Sequence, residues 1–129
     1  MANLNGKWIY RSFRPNDGNP PLAPWAPEGT LVVTTDAEGK VSGKLSFAAV
    51  AGLELTISGS ITPAVAGKLP EGVELTGEGG RQSVNKLHGY FIAGAAEPLI
   101  VGTLVAVKND PAGRPDGTSG PFVLFRAPN

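Results

Sequence analysis

The stretch "LELTISGSI", residues 53 to 61, alternates without a break: Leu53, Leu55, Ile57 and Ile61 share one face with Gly59, while Glu54, Thr56, Ser58 and Ser60 share the other. Successive side chains of an extended chain point to opposite sides, so this pattern specifies a strand with one face in a core and one in water. The rest of the chain keeps the same period. Segments bounded by Gly, Pro, Asn or Asp recur from end to end, and no window of about 11 residues carries a helical stripe. The fold class is therefore all-β, with eight strands at about 6–14, 29–36, 41–49, 53–62, 72–80, 86–94, 98–108 and 121–127.

Strand three, "VSGKLSFAA", sets Val41, Leu45 and Phe47 against Ser42, Lys44 and Ser46, and "DAEGK" before it supplies a hairpin turn. Strands two, three and four read as a meander. Short antiparallel connections at this spacing point to an eight-stranded up-and-down barrel, whose interior is either filled by side chains or holds one small ligand. A sandwich is the alternative. In the C-terminal half both strand faces are apolar: Ile100, Leu104 and Ala106 alternate with Val101, Val105 and Val107, and Phe122 and Leu124 with Val123 and Phe125. A barrel has one inside, so the second set predicts an apolar outer patch and a homo-oligomer formed through strands six to eight.

At 129 residues the chain is expected to form one domain spanning 1–129. Eleven basic and eleven acidic side chains cancel, which supplies no basic surface for nucleic acid or anionic membrane. There is no cysteine, which removes disulfides and thiolate metal sites. The segment "MANLNGKW" lacks a basic stretch followed by an apolar run, and no apolar run is long enough for a membrane helix. The expected location is the cytoplasm.

Two connections are long. Residues 14 to 29, "RPNDGNPPLAPWAPEG", hold five prolines and cannot be strand interior. They read as a lid carrying Leu22 and Trp25, with Trp25 either meeting a ligand in the barrel mouth, plugging the barrel end or packing on a neighbouring subunit. Residues 108 to 120, "KNDPAGRPDGTSG", read as a polar surface loop in which Arg114 and Asp116 are the charges nearest a ligand role.

Several motifs fail on inspection. "GKVSGKLS" has too few residues between its glycines for a phosphate loop and is followed by a strand instead of a helix. "GEGGRQ" lacks the last glycine of a dinucleotide fingerprint and any βαβ setting. The one histidine, His88, has no second histidine or cysteine to join it at a zinc ion, and the spaced acidic loop of a calcium site is missing. No metal or cofactor is expected. His88 alternates with Leu87, and Tyr90 with Phe91, without revealing which set faces in.

The chain opens its first strand with Gly6-Lys7-Trp8 and carries Arg126 on its last. With the long first loop and the meander, this order resembles the calycin superfamily of lipocalins, fatty-acid-binding proteins and avidins. The resemblance implies that Trp8 forms the floor of the barrel and that Arg126 crosses its ring in a cation-π stack. The lipocalin Thr-Asp-Tyr motif is absent, and two tryptophans are too few for the walls of an avidin pocket, so biotin binding does not follow.

If Trp8 faces in, so do Tyr10, Ser12 and Arg14, offering a phenol, a hydroxyl and a guanidinium above the floor. Phe47, Leu55 and Phe122 belong to the apolar wall, with Gly59, Gly77, Gly79 and Gly102 leaving room. That combination suits a small apolar or amphipathic ligand, so the leading expectation is a non-enzymatic binding protein using Tyr10, Ser12, Arg14, Trp25, Phe47, Leu55 and Phe122. Two other readings remain open: an isomerase or cyclase in the same pocket using Tyr10, Arg14 or His88, and a filled barrel that serves as a structural or interaction protein.

Overall fold

The computed structural model describes residues 4–14, 23–80, 82–109 and 115–128. Among them there is no helix, and hence none long and apolar enough to cross a membrane. Eight strands form: β1 (Gly6–Ser12), β2 (Gly29–Thr35), β3 (Lys40–Ser46), β4 (Glu54–Thr62), β5 (Gly72–Gly79), β6 (Ser83–Phe91), β7 (Leu99–Lys108) and β8 (Thr118–Arg126). Each pairs antiparallel with the next, and β8 pairs back with β1, closing an up-and-down barrel. Closure removes the sandwich alternative and leaves no open sheet edge.

Local chemistry explains where the strands turn. Between β2 and β3, the Asp36 carboxylate accepts hydrogen bonds from the Glu38 and Lys40 amides at 2.8 and 2.9 Å, and Gly39 supplies the positive φ of 83° that the turn requires. Strand β1 stops at Ser12, two residues short of the expected end, where Phe13 forms a bridge with Pro24. Strands β6 and β8 each begin three residues earlier than periodicity suggests. A register shift between Val84 and Asn85 leaves Val107 unpaired on β7, so the bulge interrupts the alternation of β7 there and leaves that of β6 intact.

One end of the barrel is filled. Leu4 and Trp8 are fully buried there, and the Trp8 indole Nε1 donates to the Leu4 carbonyl at 2.9 Å. The Arg126 guanidinium lies 4.3 Å from the Trp8 ring centroid and donates to the Asn5 carbonyl, forming the stack expected from those two positions. Gly6 makes that crossing possible, because a Cβ there would sit 2.7 Å from an Arg126 nitrogen. Above the floor, Val33, Val41, Ile57, Val73, Ile100 and Leu124 complete the core.

The glycines expected to leave room inside have a different task. A Cβ on Gly59 would lie 2.0 Å from the Glu74 carbonyl oxygen, and one on Gly102 would lie 2.0 Å from that of His88. Gly79 would meet the Glu54 carbonyl at 2.7 Å, and Gly77 would press on Ile57 and Leu55 from the interior. Three of the four therefore permit close approach of neighbouring strands, which a small closed barrel needs in order to coil, and none opens space. Outside, Val101 and Val107 are exposed and Val105, Val123 and Phe125 are half-buried, so the second apolar face of β7 and β8 points outward.

Candidate functional site

The end opposite the floor, where the β1–β2, β3–β4, β5–β6 and β7–β8 connections gather, holds a cavity of about 420 Å³ that is open to solvent. This volume is in the range of small-molecule sites. Strand alternation puts Tyr10 and Ser12 on its wall from β1, and Phe47 follows β3 with the same phase as Leu45. Leu55 enters from β4, with Leu53 ahead of it at the mouth. Leu87 and Leu104 extend the apolar wall on the far side.

Tyr10 is 4% exposed, with its ring stacked on Phe122 at 6.3 Å and edge-on to Phe47 at 6.2 Å. Burial pushes its phenol up to about 12, opposed by a hydrogen bond with the Ser12 side chain. Ser12 is 2% exposed and is the buried polar residue beside it. Together the two hydroxyls give the cavity a neutral hydrogen-bonding spot that can both donate and accept.

Trp25 reaches the cavity because the loop folds back along β1. Its amide donates to the Ser12 carbonyl at 2.9 Å, Arg14 donates to Ala23, and the indole covers Gly120, where a Cβ would come within 3.3 Å of the ring. Residues 15–22 of the lid segment, including Leu22, lie outside the described residues, as does Arg114. Asp116 accepts a hydrogen bond from the Asn109 amide at 2.9 Å and belongs to the β7–β8 turn.

Of the seven candidate ligand residues, Tyr10, Ser12, Trp25, Phe47 and Leu55 come together on the cavity wall. Phe122 does not; it is buried behind Tyr10, with its ring against Gly89. Arg14 does not either, because β1 has already ended, and it sits half-buried in the loop. His88 points away from the interior, with its side chain 50% exposed and Nδ1 3.4 Å from the Glu74 carboxylate. Tyr90 shares the outer face with it, the two rings 5.2 Å apart.

Sequence reading missed Ser83 and Asn85, which face the cavity from β6, and Asn109, which lies at its rim. The Ser83 hydroxyl donates to the Gly79 carbonyl at 2.8 Å, holding the β5–β6 turn at the mouth. Continuing the phase of Leu87 backward would have found Asn85 and Ser83. Among the described residues, no cluster of three potential metal ligands occurs. Comparison with protein-family models, curated proteins and solved structures yields no match for this chain.

Proposed function

We propose that this protein is a calycin-like barrel that binds a small, mainly apolar molecule without transforming it. The observation that carries the reading is the cavity of about 420 Å³ that inward-facing Tyr10, Phe47, Leu55, Leu87 and Leu104 line at the barrel end opposite Trp8. An apolar enclosure with a few convergent polar groups is how ligand sites are built, and Tyr10, Ser12 and Asn85 supply those groups here. The isomerase or cyclase reading loses its histidine, since His88 is on the outer surface, and the Tyr10 partner is a hydroxyl in place of a carboxylate.

The outward apolar set on β7 and β8 supports a second proposal, that copies of the chain associate through β6 to β8. Native mass spectrometry of the purified protein tests both proposals. A retained or added small apolar molecule at one per chain is expected, in a species of more than one chain. Failure of every apolar probe to add mass would overturn the binding reading, and a bare monomer at all concentrations would overturn the association.

A further inference from the structure

We propose that the cavity selects uncharged ligands: a mainly apolar molecule whose neutral polar group, a hydroxyl, carbonyl or amide, is held inside the barrel at Tyr10 and Ser12. This rests on the binding function proposed above and narrows it to a ligand class.

The polar side chains on the described wall are Tyr10, Ser12, Trp25, Ser83, Asn85 and Asn109, and none of them carries a charge at neutral pH. The charged side chains of the described residues lie elsewhere. Lys44 pairs with Glu54 and Arg11 with Glu28 on the outer surface, both at least half-exposed, and Arg126 is committed to Trp8 at the opposite end. Arg14 is not on the wall, and Asp17, Arg81, Asp110 and Arg114 lie outside the described residues.

A carboxylate or ammonium drawn into such a site would give up its hydration with no counter-charge among the described residues to replace it. The same desolvation makes ionisation of the Tyr10 phenol harder, since burial is the largest cause of its raised value. A neutral head group meets no such cost. The paired hydroxyls of Tyr10 and Ser12 can donate to a carbonyl or accept from a hydroxyl or amide, which leaves the tail to run along Leu55, Leu53 and Leu87 toward the mouth.

Isothermal titration of the full chain with three probes of one skeleton, decan-1-ol, decanoate and decylammonium, at neutral pH tests the inference. The alcohol is expected to bind at least about tenfold more tightly than either ion, as an uncompensated buried charge requires. Equal or tighter binding of either ion overturns the inference while leaving the cavity a ligand site. Binding of none of the three overturns the cavity reading and the inference with it. The placement of the head group is read separately with Tyr10→Phe and Ser12→Ala, each checked for an unchanged fold by circular dichroism. Loss of about five- to tenfold in decan-1-ol affinity in at least one variant is expected for a lost buried hydrogen bond. Unchanged affinity in both would put the head group in the solvent at the mouth and overturn the placement.

Discussion

Trp8, Gly6 and Arg126 work as one unit, and its parts have unequal weight. The tryptophan is fully buried, hydrogen-bonded through Nε1 to Leu4 and covered by the guanidinium, which passes where a Gly6 side chain would stand. Trp8→Ala is expected to lower unfolding free energy by about 3 to 5 kcal/mol, as for other buried aromatics. Denaturant titration checks this, and a loss below about 1 kcal/mol would show that the floor collapses around the missing ring. Tyr10 makes a different, pH-dependent contribution. Its phenol is raised to about 12 in the fold from an ordinary value of 10.0. Because the folded value is the higher one, the associated stability is fully present below about pH 10 and is lost as pH rises toward about 12, where the unfolded chain sheds the proton more readily. A raise of that size corresponds to about 2 to 3 kcal/mol. Unfolding measured across this window should fall more steeply for the native chain than for Tyr10→Phe, and parallel profiles would contradict the buried neutral phenol.

Among the strands, the glycines separate residues that crowd a neighbouring main chain from those that crowd only side chains. Gly102 on β7 faces Gly89 on β6, and a Cβ there would overlap the His88 carbonyl and the Gly89 Cα, at 2.0 and 2.5 Å. Gly77 on β5 would meet the Ile57 and Leu55 methyl groups at 3.1 and 3.4 Å. Backbone cannot yield as side chains do, so Gly102→Ala should destabilise by about 2 kcal/mol or more and Gly77→Ala by about 1 kcal/mol or less. Thermal denaturation of the two variants tests the ordering, and equal losses would mean that the strands shift to accept the methyl group. These two positions also show what the sequence makes legible. Alternation such as that of Leu53 to Ile61 reveals the strands and their inward faces, since it is a local property of an extended chain. It cannot reveal how closely two strands approach, which depends on barrel closure, and for that reason Gly59, Gly79 and Gly102 read as space. Ser83 and Asn85 keep the phase of Leu87 and escape sequence reading because they are polar and precede the expected start of the strand, while alternation points Arg14 inward although the strand ends at Ser12. The floor was readable because it depends on two residue types at the two ends of the chain.

At the scale of the whole barrel, one apolar core runs from the Trp8 floor up to Tyr10, Phe47, Leu55, Leu87 and Leu104, and the proposed binding cavity opens beyond it toward Leu53, so floor and mouth can be tested separately by mutation. The closed half holds Leu4, Trp8, Val73, Ile100 and Leu124, each with no exposed surface, while Leu53 at the open half lines the cavity mouth and is only partly buried. Stability should therefore be set at the floor and occupancy at the mouth. Leu124→Ala is expected to cost about 2 to 5 kcal/mol of stability, with little change in affinity for decan-1-ol. In Leu53→Trp, the larger ring must go into the cavity or out over Gly80, where the native leucine Cδ1 already lies 2.5 Å from the position a Cβ would take. The inward course fills the ligand's space without compressing the closed half. It should weaken decan-1-ol binding by at least about tenfold while moving the unfolding free energy by less than about 1 kcal/mol, since a solvent-connected cavity takes added volume without the strain of overpacking. Calorimetric titration and chemical denaturation of the same two variants give the comparison. If Leu53→Trp instead lost stability as Leu124→Ala does, the mouth would be packed as tightly as the floor, and the cavity would be a packing defect in place of a site.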